Sequence, residues 1–387
     1  MKQKIKQQSP FSPLIFLASL GAGGISVIPF AFLQYTFPHG KGLVQRAEID
    51  FASLSFGQSI LHYSLDTIMI VFALIHLLLT ILYSGRLWQF VRGAAFTELF
   101  NDPTKNSAIL APFISIVMTM NVFIGPVRYF IPWIANNLQL LMLPALLLWM
   151  VIYVALLSTE MQLLKISFLR RFDINTISFG WLLHPFALGM LTVTGTGFAA
   201  LAKSPDVAHT AAFLSMVSGM MGMFLLSVKL FAVFNRYFAN EGLGEKATLP
   251  SFLIVIPNIT LYAIALFRFG HYLERHHSME MGAYFKLVIG GAFAFETWYL
   301  LFGLVLLTDY FKTYYFKKEY YVTQWGLICP FVAYAVLASF TFKTFLPATA
   351  FYALALVFMV IAVVFYLDLL SRHLRCRFKV STNMQCA

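Results

Sequence analysis

The chain has 387 residues, of which 60% are hydrophobic and only 11% are charged, and its mean hydropathy is +0.77. Soluble domains normally carry about a quarter charged residues, so this composition excludes a soluble globular protein and indicates a polytopic membrane protein. The formal net charge of +11 does not indicate nucleic-acid binding, because the basic residues are spread over short loops and form no single patch.

The N-terminus carries three lysines within its first six residues and then continues into the first long apolar stretch. No small-residue cleavage site accompanies that stretch, so we interpret it as an uncleaved first membrane helix and not as a signal peptide. We therefore expect residues 1–11 to form a short cytoplasmic segment.

Ten apolar stretches are long enough for transmembrane helices, each of which needs about 20 apolar residues. The predicted fold is an all-α polytopic membrane protein, with a ten-helix domain over residues 12–370 and a basic cytoplasmic tail over residues 371–387. The predicted spans are 12–35, 67–88, 107–125, 138–157, 178–201, 209–233, 249–268, 283–308, 322–343 and 347–370.

The distribution of lysine and arginine predicts the orientation, because cytoplasmic loops carry an excess of positive residues. The N-terminus, the loops after the second, fourth, sixth and eighth spans, and the tail together carry 19 of the 27 basic residues. The opposite side carries 8. We therefore expect a multi-pass protein of the cytoplasmic membrane with both termini in the cytoplasm.

Proline recurs in the odd-numbered spans, whereas the even-numbered spans mostly lack it, with Pro144 in the fourth span as an exception. A proline inside a helix removes a backbone donor, and in lipid such a break persists only where protein or water satisfies the freed groups. We therefore predict five helical hairpins, with interrupted odd-numbered helices around a central pore. The prolines predicted to line it are Pro29, Pro112, Pro185, Pro257 and Pro330.

Four segments resemble the tellurite-resistance/dicarboxylate transporter family, which includes the plant slow-type anion channels. Residues 102–115 resemble the lead into the family's third helix, and Trp181-Leu182-Leu183-His184-Pro185 resembles the opening of its fifth helix. Residues 249–258 resemble the motif of the seventh helix, and residues 324–331 that of the ninth. The order, spacing and helix numbers of all four segments agree with the family.

The resemblance implies a homotrimer of ten-helix protomers in the lipid bilayer, each with its own pore, and a channel or transporter instead of an enzyme. The expected partners are small anions, with no nucleic acid, metal or cofactor. Family members move chloride, nitrate, sulfite, tellurite-type oxyanions or C4-dicarboxylates.

The chain departs from the family at the gate that the resemblance implies. There the family has a phenylalanine whose ring plugs the pore, whereas this chain has Cys329, whose thiol is too small to fill the same space. Several interpretations are open: Phe331 or another ring is the plug, the pore is less occluded, the thiol is chemically active, or it is a small apolar residue. The other candidate rings are Phe30, Phe186 and Phe113, the last of which is also predicted to line the pore.

Small and polar residues of the odd-numbered spans are further candidates for the pore lining. Thr192 and Thr194 belong to a stretch of the fifth span that either lines a wet lumen or permits tight helix packing. Asn258 replaces the second proline of the seventh-helix motif, and its amide either faces the path or satisfies backbone groups beside Pro257. The glycines of the first span either let an ion come near the backbone or let two helices approach each other. Asn121 is a weaker candidate for the pore lining.

Ionisable residues inside a membrane are costly and usually have a function. Glu296 is central in the eighth span, an outer helix, so we expect it to pair with another helix or to lie at a subunit contact. Lys229 lies near a cytoplasmic end and is expected to extend towards water. Arg128 either attracts anions at an outer mouth or anchors the interface. No inner span contains an obvious buried carboxylate, which favours passive or weakly coupled transport.

Two other functions compete with anion transport. A membrane cytochrome needs two histidines that face each other across helices, and only His76 and His184 lie well inside predicted spans. A membrane redox protein of sulfur or selenium compounds would use Cys329 as its reactive thiol, with Cys376 or Cys386 of the tail as the resolving partner.

Overall fold

The computed structural model describes residues 11–40, 42–239, 242–316 and 319–378. These residues form an all-α polytopic membrane protein in which ten helices are long and apolar enough to cross a membrane. The ten helices are α1 (Pro13–Thr36), α2 (Phe56–Val91), α3 (Asn106–Phe130), α4 (Leu138–Leu169), α5 (Phe179–Leu201), α6 (Pro205–Ala239), α7 (Leu249–His277), α8 (Gly282–Leu306), α9 (Val322–Thr344) and α10 (Thr349–Phe378). Shorter helices in the connections are Arg46–Glu48, Ala94–Phe100, Pro132–Asn136, Ile174–Thr176 and Thr308–Tyr310.

Several helices are longer than the apolar stretches that predict them. α2 begins at Phe56, because Ser55 and Gln58 form a capping box that satisfies its first backbone donors. α7 continues past residue 268 to His277, and α10 continues to Phe378, so the predicted boundary between membrane domain and tail falls inside a helix. The remaining parts of the predicted cytoplasmic termini, residues 1–10 and 379–387, lie outside the described residues.

The odd-numbered helices form the inner layer of the bundle. Between 67% and 100% of the most apolar window of each odd helix is buried, against 28% to 39% for the even helices. Each odd helix contacts the next odd helix, and α9 contacts α1, so that the five helices close into a ring. The even helices pack outside this ring and expose large apolar side chains, as contact with lipid requires.

Each odd helix begins with a short 3-10 segment, after which the α-helix proper starts. Four of the prolines lie within the first three residues of these α-helical parts, namely Pro112, Pro185, Pro257 and Pro330. The first backbone N–H groups of an α-helix have no intrahelical acceptor, so the missing N–H of proline costs no hydrogen bond there. This corrects the expectation that they interrupt the spans from within. Pro29 alone of the five lies inside its α-helix. The 3-10 segments are Pro13–Ile15, Asn106–Leu110, Phe179–Leu182, Leu249–Ile254 and Val322–Leu327.

The five 3-10 segments contact one another in a second closed ring, in the same order as the helices that they begin. This 3-10 ring lies at the end of the bundle where odd helices begin and even helices end, which we call the terminal end; the opposite end is the far end. Large side chains, among them Trp325, Phe179 and Leu253, are buried there. The inner ring is therefore filled with side chains at the terminal end.

Glycines of α1 allow the ring to close. A Cβ added at Gly21 would lie 3.1 Å from Ile328, and one added at Gly24 would lie 3.0 Å from Val332. Ile328 and Val332 are one turn apart on α9, so the two glycines let the whole α1 backbone approach that helix. For Gly21, the structure favours close helix approach over exposure of the backbone to a path, whereas Gly24 also lines the cavity enclosed by the ring.

The packing of the inner helix α5 against the outer helices α4 and α6 can be tested at Gly195. Trp149 of α4 and Ser215 of α6 fill the space that a Cβ at Gly195 would occupy. Gly195→Ala should therefore lower the midpoint of thermal unfolding in detergent, because overpacking costs about 1–3 kcal/mol. Gly291→Ala on α8 is the matched control, since no atom lies within 4 Å of that added Cβ. Equal midpoints for the two variants would contradict the described packing of α5.

Candidate functional site

The inner ring encloses a central cavity of about 230 Å³. All five odd helices contribute to its wall, as does Leu43 of the connection after α1, and no residue of the 3-10 ring lines it. Most of the wall is apolar. Its polar side chains are Gln34, Tyr35, Asn121, Thr260, Arg268, His271 and Cys329, so the described wall contains one arginine and no carboxylate.

Arg268 of α7 supplies the fixed positive charge of the cavity. Its Nη1 donates to the backbone carbonyl of Val193 on α5 at 2.6 Å, and none of the ion pairs among the described residues involves it. Gly197 of α5 leaves room for the guanidinium, because a Cβ there would lie 3.2 Å from Nη1. A guanidinium has five N–H donors, so donors remain for an anion in the cavity.

Arg268 is not among the site residues predicted from the sequence. The predicted seventh span ends at this residue, and the arginine was counted with the basic residues on the side opposite the termini. The structure continues α7 to His277 and ends it at Ser278, which adopts a left-handed conformation. Between Arg268 and Ser278 the sequence contains no proline. It does contain Gly270, a residue type common at helix ends, so only the folded structure shows that the helix continues past Arg268.

Three rings from three odd helices form an aromatic cluster in the wall beside Arg268. Tyr35 of α1 lies 4.0 Å from Phe340 of α9, and Phe267 of α7 lies 5.2 Å from Phe340, measured between ring centroids. Tyr35, Phe267, Gln34 and His271 also line a second cavity, which we call the outer vestibule and which includes His39 and Lys343. The aromatic cluster therefore lies between the central cavity and the far end.

Of the residues predicted to line or gate the pore, the cavity wall contains Pro257, Cys329, Asn121 and the candidate rings Phe30 and Phe186. Cys329 is partly exposed there and its thiol is free. The structure places the other predicted lining and gating residues outside the described wall. These are Pro29, Pro112, Phe113, Pro185, Thr192, Thr194, Asn258, Pro330 and Phe331.

Phe331 illustrates the correction. Its ring packs against Phe358 and Phe365 of α10, with centroid distances of 6.2 and 5.1 Å, so it lies between α9 and α10 and does not plug the cavity. Two residues along an α-helix are about 200° apart around its axis, and Cys329 faces the cavity. Among the other candidate rings, Phe30 and Phe186 line the cavity.

The polar side chains predicted to line the pore mainly form hydrogen bonds with neighbouring helices or with their own helix backbone. Thr192 donates to the carbonyl four residues before it and shares a hydrogen bond with Ser218 of α6 at 2.8 Å. Thr194 accepts a hydrogen bond at 2.7 Å from the amide of Asn121, which does line the cavity. The Asn258 amide donates to the carbonyl four residues before it at 2.9 Å. The structure thus favours the packing and backbone interpretations of Thr192 and Asn258.

A buried ionic cluster lies outside the cavity wall, between α4, α5 and α6. Glu160 of α4 accepts a hydrogen bond from Nδ1 of His184 at 2.8 Å, and both residues are fully buried. Nζ of Lys229 lies 3.9 Å from the ring centre of Trp181. Lys229 is buried, so the expectation that it extends towards water is wrong. The sequence analysis did not single out Glu160, since it lies beyond the predicted end of its span.

Arg128 has a structural position at the far end. Its guanidinium donates to the backbone carbonyls of Leu43 and Val44 at 2.9 and 3.2 Å, and its side chain is almost completely buried. Gln34 also contacts this connection, since its side chain accepts from the Val44 backbone N–H at 2.7 Å. Arg128 therefore holds the connection after α1 in place and does not face an open mouth.

The arrangements required by the two competing functions are not found among the described residues. Nδ1 and Nε2 of His76 contact Ser19 and Thr119 within hydrogen-bond distance, while His184 binds Glu160, so these histidines do not face each other as haem ligands would. Cys376 lies at the end of α10 and outside the wall that contains Cys329. The other proposed resolving residue, Cys386, lies outside the described residues.

Comparison with known families gives a match over nearly the whole chain. A family model described as SLAC1, voltage-dependent anion channel, matches residues 10–374. This range contains α1 to α9 completely, most of α10, and every residue of the cavity wall. No curated protein matches the chain.

The position of Cys329 can be tested chemically. A small methanethiosulfonate should modify Cys329 in the folded, detergent-solubilised protein, because this free thiol is partly exposed in the cavity wall. Peptide mass analysis locates the modification, and Cys329→Ser provides the unmodified control. Modification that appears only after denaturation would contradict the placement of this thiol in an accessible wall.

Proposed function

The chain belongs to the SLAC1 family of voltage-dependent anion channels, and we propose that it moves small inorganic anions through the central cavity of its inner ring. The observation that carries the proposal is Arg268, a cation in the cavity wall with no carboxylate partner among the described residues. In an apolar enclosure, one uncompensated positive charge attracts anions and repels cations.

The proposed path runs along the axis of the inner ring. An anion from the far end first meets the outer vestibule with His39 and Lys343 in its wall, then the aromatic cluster, and then Arg268. Ring edges carry partial positive charge, so an aromatic cluster does not by itself repel an anion. The 3-10 ring is the last barrier, at the terminal end.

The single guanidinium also supports a choice among the anions that the family moves. A monoanion such as chloride or nitrate needs one positive partner, whereas the second carboxylate of a C4-dicarboxylate would enter the same apolar cavity unpaired, at a high desolvation cost. We therefore propose chloride and nitrate as the preferred ions. Sulfite, tellurite-type oxyanions and C4-dicarboxylates are the less favoured alternatives.

The gate is proposed to involve rings other than Phe331. Phe186 of α5 and Phe30 of α1 both line the cavity, and a Cβ at Gly125 of α3 would lie only 3.1 Å from the Phe30 ring. Rings in the wall can narrow a path that the thiol of Cys329 leaves wider. In this proposal Cys329 lines the gate without closing it.

The cellular setting follows from the charge distribution and from the resemblance. With 19 of the 27 basic residues on the side of the termini, we propose that the terminal end faces the cytoplasm and that the protein resides in the cytoplasmic membrane. We also propose a homotrimer in which each subunit has its own path.

Arg268→Gln tests the proposed function. Chloride and nitrate flux into proteoliposomes should fall about tenfold or more, because a hydrogen bond to a charged group contributes about 1.5–3 kcal/mol. Lys286→Gln is the matched control: Lys286 is an exposed residue of α8 outside the cavity wall, and its replacement should leave flux unchanged. Wild-type flux through folded Arg268→Gln protein would remove Arg268 from the path.

Removing a ring from the proposed gate and adding one to it should have opposite effects on chloride flux. Phe186→Ala should increase chloride flux by widening the cavity, whereas Cys329→Phe should decrease it by adding a ring to the wall. Phe331→Ala is the control, because that ring packs on α10. The proposal fails if Phe331→Ala increases flux while Phe186→Ala does not.

A further inference from the structure

A fully buried carboxyl group lies directly behind the cavity wall. Glu296 of α8 is completely inaccessible to solvent, and its Oε1 accepts a hydrogen bond from the hydroxyl of Thr260 on α7. Thr260 itself lines the cavity. One hydroxyl group therefore connects Glu296 with the proposed anion path, although α8 belongs to the outer layer.

The described residues provide no cation for this carboxyl group. Oε2 of Glu296 has no hydrogen-bond partner, and none of the ion pairs of the described chain includes Glu296. A buried, incompletely bonded carboxylate is strongly unfavourable, whereas a neutral carboxyl group is tolerated. The surroundings of Glu296 therefore favour the neutral, protonated carboxyl group over the ionised carboxylate.

The elements packed against Glu296 carry few other ionisable groups. α8 contacts α7, α9 and the segment Leu249–Ile254, and that segment has no ionisable side chain. The hydroxyl of Tyr334 on α9 shares a hydrogen bond at 3.0 Å with Thr297, the residue next to Glu296. The neighbouring ionisable residues along α7, α8 and α9 are Tyr262, Arg268, Tyr299 and Cys329.

We propose that Glu296 is a proton-binding site linked to occupancy of the cavity by an anion, an inference that rests on the proposed anion path. Thr260 and Arg268 are eight residues apart on α7, about 12 Å along its axis, and both line the cavity. Ionised Glu296 opposes the field of Arg268 and repels an anion. The bound proton removes that repulsion, and by linkage a bound anion favours protonation by the same factor.

The proton step involves no other chemistry. A hydronium ion from the solution supplies the proton: one of its O–H bonds breaks and leaves water, an O–H bond forms at a carboxyl oxygen of Glu296, and the negative charge behind the wall is neutralised. The Thr260 hydroxyl can donate and accept, so it remains bonded to the carboxyl group in either state. Protons thus promote anion transport, whereas the inner spans alone favour passive or weakly coupled transport.

The experiment measures chloride flux in proteoliposomes of the full chain, over a pH series from roughly 4.5 to 9, the range in which buried carboxyl groups titrate. Wild-type flux should rise about tenfold from the highest to the lowest pH, a typical coupling between sites. Glu296→Gln keeps an acceptor for Thr260 but cannot ionise, so its flux should stay high at every pH. Glu280→Gln, at an exposed residue, should follow the wild type.

Each outcome decides the inference. Folded Glu296→Gln protein that keeps the wild-type pH dependence would overturn it, as would a wild-type flux that does not vary with pH. If Glu296→Gln does not fold, Thr260→Val replaces it: the midpoint of the flux curve should move to higher pH, because the ionised carboxyl group loses its donor, and an unchanged midpoint would overturn the inference. Absence of chloride flux in the wild type at every pH would instead overturn the proposed function itself.

Discussion

The contact between α1 and α9 closes the inner ring, and the other features of the protein depend on that closure. Lipid cannot hydrogen-bond to exposed backbone groups, so the changes from 3-10 to α geometry in the odd helices persist because neighbouring helices surround them. Gly21 and Gly24 allow α1 to approach Ile328 and Val332 closely enough to complete the ring. Without this contact, the cavity would open between two helices towards lipid.

The placement of charge follows the same two-layer arrangement. The cavity wall contains Arg268 and no carboxylate among the described residues. The buried carboxyl groups come from outer helices: Glu160 binds His184 of α5, Glu296 binds Thr260 of α7, and Asp66 of α2 binds Arg46 of the connection after α1. Negative charge is therefore kept behind the wall or paired. An anion on the proposed path therefore meets a positive side chain without a negative one beside it, which favours anions over cations.

The sequence predicted which helices lie in the inner layer and which in the outer layer, but not which side of each inner helix faces the cavity. Apolar length gave the ten spans, and the recurrence of proline in the odd spans indicated which helices lie inside, because an irregular backbone in a membrane needs protein around it. The direction in which each side chain points could not be predicted, since the 3-10 segments have three residues per turn instead of 3.6 and change the phase of the following helix. In the structure Phe331 faces α10, whereas Cys329 faces the cavity. Arg268 required tertiary information, because it lies in a helix that extends beyond its apolar stretch. Glu296 was expected to pair with another helix, but its partner Thr260 and its position behind the cavity wall could be known only from the structure.

The central claim is that an anion binds inside the inner ring at Arg268. Bromide is a chloride substitute whose anomalous scattering identifies it, so a crystal structure of the protein grown with bromide tests this claim most directly. The account predicts an anomalous peak within hydrogen-bond distance of the Arg268 guanidinium, between α5 and α7 and inside the ring. A guanidinium directed towards lipid, or bromide bound only outside the five odd helices, would contradict it.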